Sequence, residues 1–196
     1  MKLKKIKNLK SKAIRFNLED GLSPDAKSIK RMLSEMEGMY LDNEKLKDML
    51  KEGDMVVYEF YNMGLPENAG EIAFGTTILY PGKVGKEYFM TKGHFHSLLE
   101  TAEVYYCIKG NGFLLMESPE GDVEVQEMKS GTAIYVPPRY AHRSINVSTD
   151  EPLISFFAFR ADAGHDYKTI ETKGFRKLIV EKNGKPEIID NPNWKS

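Results

Sequence analysis

From residue 55 onward, the chain is a succession of short runs rich in Val, Ile, Phe and Tyr, separated by turn residues. β-Branched and aromatic residues favour strands, and many short strands at this spacing indicate a β-sandwich or barrel. Gly110-Asn111-Gly112 and Asn183-Gly184 are typical of hairpin turns. The pattern predicts an all-β fold with strands at 55–61, 71–80, 86–92, 103–109, 112–117, 122–128, 133–136, 142–147, 153–160, 175–182 and 185–190.

Two helices are predicted ahead of these strands. Ser23-Pro24 supplies an N-cap and a first-turn proline for the first helix, and Asp42 to Gly53 bounds the second. With no repeat, linker or low-complexity tract, the sequence predicts one domain, 1–196, with an N-terminal helical or strand extension over about 1–54. The first helix would bury an apolar stripe formed by Ile29, Met32, Leu33 and Met36.

Three of the four histidines of the chain fall in a pattern typical of one metal site. Alternate side chains of a β-strand share a face, so His94 and His96 can bind the same ion. Glu103 adds a carboxylate and His142 a third imidazole. Three neutral imidazoles and one carboxylate suit Fe(II), Mn(II), Ni(II) or Zn(II), and leave coordination positions for water or a substrate oxygen.

The carboxylate has two candidates, because Glu100 and Glu103 both follow the histidine pair. If the strand continued from His96, Glu100 would lie roughly 13 Å away at about 3.3 Å per residue, and Glu103 farther still. The chain must therefore turn back after His96. Glu103 then opens the next strand, whereas Glu100 falls in the connecting loop, where a solvated charge is the ordinary expectation. The sequence favours Glu103.

These residues resemble the two sequence motifs of the cupin superfamily. The first motif is His-x-His, a spacer, Glu, six residues and Gly, and it fits with Glu103 and Gly110, whereas Glu100 would place Cys107 at the glycine position. Three departures are visible: a long spacer from His96 to Glu103, Tyr88 for an initial glycine, and Arg139 for the glycine after the proline. The residues in register with the second motif are Gly131, Pro137, His142 and Asn146.

Longer stretches resemble the archaeal cupin-type phosphoglucose isomerases, over most of the chain to the closing segment 190–194. The resemblance implies a jelly-roll-like cupin β-barrel and a metal-dependent isomerase that interconverts glucose 6-phosphate and fructose 6-phosphate in glycolysis and gluconeogenesis. It also implies a homodimer with one divalent ion per subunit, Fe(II) first and Mn, Ni or Zn as alternatives. The matching stretches are 77–87, 91–96, 135–138, 141–143 and 161–167.

The resemblance further implies a sugar phosphate site, in which His165 assists ring opening by proton transfer. Phe159 stands where some relatives carry tyrosine, so a phosphate contact by that hydroxyl is lost or moved. Glu103 is the favoured base for moving a proton from C2 to C1, and a metal-assisted hydride shift is the alternative mechanism. The residues expected to line the site are Thr77, Thr91, Gly93, Tyr105, His165 and Tyr167.

Other functions and roles stay open on the sequence. The same four ligands suit a cupin Fe(II) dioxygenase, and a non-catalytic sugar-binding cupin is a third class. His165 also fits a plain turn residue, and Tyr105 and Tyr167 also fit packing aromatics. Three lysines suit a phosphate but are ordinarily solvated at the surface: Lys83, Lys86 and Lys92.

The composition restricts which binding partners and which cellular compartment we expect for this protein. A formal net charge of -1 argues against nucleic acid or an acidic membrane as the main partner. No apolar run reaches the roughly 20 residues of a membrane helix, and the start lacks the apolar block of a signal peptide. Cys107 is the one cysteine and falls in an apolar strand, which predicts a packed thiol and no internal disulfide. We therefore expect a cytoplasmic enzyme.

Overall fold

The structure, a computed structural model, describes residues 11–61 and 63–195. Within these residues strands dominate, and the predicted all-β class is confirmed. Residues 1–10 of the predicted N-terminal extension lie outside the described part. The strands are β1 (Ser28–Met32), β2 (Val56–Tyr61), β3 (Ile72–Leu79), β4 (Lys83–Val84), β5 (Glu87–Tyr88), β6 (Glu103–Lys109), β7 (Asn111–Glu117), β8 (Val123–Lys129), β9 (Ala133–Val136), β10 (Ala141–Asn146), β11 (Leu153–Arg160), β12 (Lys177–Lys182) and β13 (Lys185–Asp190).

The strands form three antiparallel sheets. Six strands follow the order β1-β2-β3-β11-β6-β9, three follow β10-β7-β8, and four follow β13-β12-β5-β4. Leu79 of the first sheet, Leu114 of the second and Ile179 of the third are almost fully buried in the same apolar cluster. The three sheets therefore share one core. Whether the whole chain is a single domain stays a prediction.

The first predicted helix is wrong, because β1 occupies part of its span and pairs with β2 from Ser28↔Tyr61 to Met32↔Val56. The apolar spacing is still used, since Leu33 and Met36 are fully buried in a 3-10 helix at Leu33–Met36. Ile29 faces outward from the core and is 46% exposed. The strand and the 3-10 turn thus bury only part of the predicted stripe, and backbone pairing with β2 overrides helix propensity.

The second predicted helix is confirmed as α1 (Asn43–Glu52), with the Asp42 side chain accepting a hydrogen bond from the Lys45 backbone N–H. Gly53 ends this helix as predicted. A second helix, α2 (Tyr167–Lys173), was not predicted; Asp166 caps it by accepting from the Thr169 backbone N–H. This helix has only seven residues, too few for a clear apolar period. Neither helix in the described ranges has the length and apolar character that crossing a bilayer demands.

Most predicted strands are observed within one or two residues, and the C-terminal hairpin turns at Asn183-Gly184 as expected. The exception is the predicted strand 86–92, of which only β5 is regular. Met90 beyond it makes an isolated bridge to Ile145 of β10. Cys107 of β6 is fully buried, and this burial raises the pKa of its thiol to about 11. The thiol is therefore protonated at neutral pH, in agreement with a packing role.

Gly75 of β3 lies in very close contact with the backbone at the end of β2. A Cβ at this position would lie 1.9 Å from the Tyr61 carbonyl oxygen, and backbone atoms cannot rotate away. We expect Gly75→Ala to lower the free energy of unfolding by about 3 kcal/mol, the upper end of ordinary overpacking. Urea denaturation measures the loss.

The matched control is Gly184→Ala. Gly184 has φ +75, but a Cβ added there would have no neighbour within 4 Å among the described residues. Only backbone strain of about 1 kcal/mol therefore opposes alanine at this position. Equal losses in the two variants would show that the close contact at Gly75 does not constrain the sheet.

Candidate functional site

The prediction that His94 and His96 lie on a β-strand is wrong, because neither is part of a regular strand. The segment around them is extended but makes only isolated bridges, His94↔His142 and Phe95↔Asp166. The backbone N–H of His94 donates to the His142 carbonyl at 3.3 Å, and the N–H of His142 donates back at 3.1 Å. This two-bond bridge replaces the predicted strand and holds the first and third histidines side by side.

The structure brings the four predicted ligands together. One nitrogen or oxygen from each of His94, His96, Glu103 and His142 lies within 4.8 Å of the others. Glu103 Oε2 is 3.1 Å from His96 Nε2 and 3.0 Å from His142 Nε2. The last three side chains are buried, and His94 is half-buried. We call these four residues the ligand cluster.

The ligand cluster fits a divalent metal by its hydrogen bonding as well as its chemistry. His94 Nε2 is buried and has no hydrogen-bond partner among the described residues. His142 Nδ1 contacts the Tyr140 carbonyl at 3.3 Å, so that nitrogen carries the hydrogen and Nε2 presents its lone pair to the cluster. Three nitrogen donors and one carboxylate oxygen lie within 4.8 Å of one another, a donor set that suits Fe(II), Mn(II), Ni(II) or Zn(II).

The pKa shifts of Glu103 and His94 favour the charge states that metal ligands need. Burial would raise the pKa of Glu103, but the adjacent imidazoles of His142 and His96 outweigh burial and hold this pKa well below its usual range. Burial lowers the pKa of His94, and the nearby His142 and His165 lower it further. At neutral pH Glu103 is therefore ionised and His94 is neutral, which are the forms that bind a cation.

Glu100 lies apart from the ligand cluster. Its carboxylate is 77% exposed and pairs with Arg139 at 3.2 Å. Arg139 stands at the position of the motif glycine and adopts φ +75, the left-handed conformation that glycine would supply. The loop that carries Glu100 therefore points it to solvent, while Glu103 opens β6 with its side chain buried.

A cavity of about 250 Å³ opens onto the ligand cluster. Its wall includes hydroxyl groups, imidazoles and phenyl rings. His96 is absent from the wall, although its Nε2 lies close to Glu103, which does line the cavity. The structure places all of the predicted substrate residues in this wall, namely Thr77, Thr91, Gly93, Tyr105, His165 and Tyr167.

The start of α2 brings His165 and Tyr167 to the cavity. Their rings stack with centroids 5.8 Å apart and planes at 14°. The His165 ring also meets His94 at 4.4 Å and Phe159 at 5.3 Å. Phe159 lines the cavity as an apolar wall and offers no hydroxyl. The cap formed by Asp166 fixes the chain between the two rings.

Several residues of the cavity wall were not expected from the sequence. Tyr58 of β2 is buried, and its phenol interacts electrostatically with the Arg31 guanidinium. The backbone N–H of Ser144 donates to Thr91 Oγ1 at 3.0 Å. Strand alternation was the only available signal for such residues, and it cannot separate a cavity wall from a core. The unexpected members are Ile29, Tyr58, Phe60, Glu67, Ala73, Phe74, Ser144 and Phe157.

The three candidate lysines lie outside the wall of the cavity as described. Lys83 forms an ion pair with Glu181, and Lys92 pairs with Glu171 at 2.7 Å. Among the described residues that line the cavity, none is a lysine or an arginine. A phosphate bound there would therefore meet neutral donors, and the three lysines fit the ordinary expectation of surface side chains better than a phosphate site.

The chain matches a known protein family over most of its length. The family model described as glucose-6-phosphate isomerase (GPI) matches residues 30–195. The chain belongs to the glucose-6-phosphate isomerase (GPI) family. The predicted resemblance to cupin-type phosphoglucose isomerases is confirmed.

Individual relatives of the GPI family are similar along nearly their whole length. The chain is 50% identical over 182 residues to the glucose-6-phosphate isomerase of Thermococcus litoralis, covering 93% of this chain and 95% of that protein. It is 48% identical over 182 residues to that of Pyrococcus furiosus, covering 93% and 96%. A solved oxalate oxidase structure aligns with TM-score 0.48 and 11% identity, over 58% of this chain and 56% of that one.

The ring of His165 should lose its proton at a lower pH than an ordinary histidine. Partial burial of its ring lowers the pKa below the ordinary value of 6.5, so the folded protein resists protonation there. As the pH falls below about 6.5, the unfolded chain takes up this proton first. The contribution of His165 to the unfolding free energy is thus complete above that pH and declines toward the folded-state pKa. An NMR titration of its ring protons should give a midpoint below 6.5; a midpoint at or above that value would contradict the described packing.

Proposed function

We propose that this chain is a metal-dependent isomerase that interconverts glucose 6-phosphate and fructose 6-phosphate. The ligand cluster, three of whose four residues line the cavity, is the observation that carries the proposal, because a divalent ion held by it would lie next to a sugar bound in the cavity. The names of the relatives support the substrate. His94, His96, Glu103 and His142 would hold one divalent ion per subunit, with Fe(II) first and Mn, Ni or Zn as alternatives.

A bound divalent ion supplies Lewis acidity, which stabilises negative charge on sugar oxygens. The residues of the chain then handle protons. Glu103 is ionised and its Oε2 lies close to two imidazole nitrogens, while burial and the charge of this carboxylate raise the pKa of Tyr105 and keep its phenol protonated. Glu103 removes the proton on C2 while O1 gains a proton, which gives an enediol. The proton then returns to C1 and O2 loses its own, completing the isomerisation without an external oxidant.

The alternative mechanism is a hydride shift from C2 to C1, in which Glu103 acts only as a ligand. The contacts of Oε2 with His96 and His142 favour a fixed carboxylate and support this alternative. The two mechanisms differ in one observable. Proton abstraction exchanges the C2 hydrogen with solvent, whereas a hydride shift retains it.

His165 suits the ring-opening step. Its lowered pKa makes it neutral at pH 7, so one nitrogen can accept the proton from the C1 hydroxyl as the C1–O5 bond breaks and the C1 carbonyl forms, and can then return that proton to O5. Tyr167 stacks on the ring and limits its rotation. Tyr167 also lines the cavity, where it would contact the sugar.

Thr77, Thr91 and Gly93 form the proposed phosphate side of the cavity. Thr91 Oγ1 already accepts from the Ser144 N–H, which leaves its own hydrogen free to donate. Gly93 has φ +75, and a Cβ there would lie 2.7 Å from Phe175 and 3.0 Å from the His142 carbonyl oxygen. Glycine thus lets the backbone pass close to the ligand cluster.

We further propose that the enzyme acts in glycolysis and gluconeogenesis in the cytoplasm. We also propose that it is a homodimer.

Metal-loaded protein should convert glucose 6-phosphate to fructose 6-phosphate in a coupled assay. Chelator should abolish turnover by removing the ion, and Fe(II), Mn(II) or Ni(II) should restore it.

His94→Ala and His142→Ala should each lower the bound metal measured by elemental analysis, because each variant removes one of only four donors. Glu100→Gln is the control. Full turnover by protein shown to be metal-free would refute the metal dependence.

Glu103→Gln separates the two mechanisms. The amide keeps the size and one acceptor oxygen but removes basicity, so we expect turnover to fall about a thousandfold, within the usual 10²–10⁴-fold for a general base. Exchange of the C2 hydrogen with deuterated solvent should be lost as well. Glu100→Gln, whose charge is solvent-exposed, should turn over at the parent rate.

Turnover near the parent rate in Glu103→Gln with a full complement of metal would remove Glu103 as the base and favour the hydride shift. Failure of Glu100→Gln instead would mean that the assignment of the carboxylate is wrong.

A further inference from the structure

Thr101 lies directly beside the ring of His96, at the nitrogen that does not face Glu103. Both residues are buried, with 5% of Thr101 and 4% of His96 exposed. His96 Nδ1 is 2.8 Å from Thr101 Oγ1 and 3.1 Å from the Thr101 carbonyl oxygen. The two oxygens of one residue therefore converge on one imidazole nitrogen.

The hydrogen bonds fix which nitrogen of His96 carries a hydrogen. A carbonyl oxygen only accepts, and Thr101 Oγ1 already donates its hydrogen to the Leu98 carbonyl at 2.6 Å. Nδ1 must therefore be the donor to both oxygens. Nε2 of the neutral ring then presents its lone pair toward Glu103 Oε2, 3.1 Å away.

Two acceptors that face each other at this distance repel unless a cation lies between them. A metal ion or a second ring proton supplies that positive charge, so the orientation imposed by Thr101 prepares Nε2 for cation binding. His142 is oriented in a similar way by the Tyr140 carbonyl, a main-chain group that substitution cannot delete. The Thr101 hydroxyl, by contrast, can be removed.

The loop between His96 and Glu103 holds Thr101 in this place. The Leu98 N–H donates to the Ala163 carbonyl at 2.8 Å, and the Arg139 N–H donates to the Leu99 carbonyl at 2.6 Å. These bonds tie the loop to two neighbouring segments. The long spacer seen in the sequence thus lets the chain turn back after His96, which places Thr101 against the His96 ring.

We infer that Thr101 is a positioning residue that sets the protonated nitrogen and the ring orientation of His96, so that Nε2 points into the ligand cluster. The inference rests on the proposed metal function. Removal of an outer hydrogen bond of this kind typically lowers metal affinity 10–100-fold. Thr101→Val deletes the hydroxyl at nearly constant shape, whereas Thr101→Ser keeps it.

The experiment combines zinc titration with NMR of ¹⁵N-histidine-labelled full-length protein. Parent protein should show His96 Nδ1 protonated both with and without zinc. Thr101→Val should bind zinc about 10-fold more weakly or worse and lose exchange protection of the Nδ1 hydrogen, and Thr101→Ser should stay within about threefold of the parent. Thr76→Val is the matched control, because Thr76 is fully buried and its hydroxyl donates to the Gly21 carbonyl, outside the ligand cluster.

An unprotonated Nδ1 in the parent overturns the inference whether or not zinc binds, and this outcome needs no folded variant. Zinc affinity of Thr101→Val equal to that of Thr76→Val, or a serine variant as weak as valine, overturns it as well. If parent protein binds no zinc but His96 Nδ1 is protonated, the metal function fails while the positioning of the ring stands.

Discussion

The buried carboxylate of Glu103 is the interaction on which the site depends. An ionised carboxylate that leaves water loses several kcal/mol of hydration unless charges or donors replace it. With 3% of Glu103 exposed, the replacement must come from its neighbours, and Oε2 lies within 3.1 Å of two imidazole nitrogens. Because His142 and His96 come from different segments, satisfying this one group requires β6, β10 and the segment before the spacer to meet. Because the contacts at Nδ1 leave both of these Nε2 atoms with lone pairs toward Oε2, a metal ion held between them would supply the positive charge that this buried carboxylate needs.

The fold brings these three segments together through isolated backbone contacts rather than through one continuous strand. The reciprocal bonds of His94 and His142 align the extended segment with β10, and Phe95 bonds to Asp166 on its other side. The same Asp166 caps α2 and so delivers His165 and Tyr167 to the cavity. The extended segment therefore couples three separate parts of the site. This coupling explains why so few regular hydrogen bonds suffice to hold four ligands within 4.8 Å.

The sequence predicted the strands well because period-two alternation and hairpin turns are local signals. β6, β9, β11 and β13 have the expected bounds. It failed where tertiary pairing decides, as at β1, whose apolar stripe fits a helix equally well. The positions of the four clustered side chains follow from motif spacing, yet their roles remain proposals. Cavity residues such as Tyr58 and Phe157 lay beyond prediction, because an inward aromatic on a strand looks the same in a core and in a cavity wall.

The charges around the cavity give the proposed ion a second role. Glu103 and Glu67 both line the cavity, while no lysine or arginine is found among its described wall residues. Without a cation these two carboxylates would repel a phosphate dianion, and a divalent ion would cancel their formal charge. Neutral donors such as Thr91 can orient a phosphate but cannot offset that repulsion. Binding of a phosphorylated sugar and occupancy of the metal site should therefore be thermodynamically coupled, each raising the affinity for the other by the same factor.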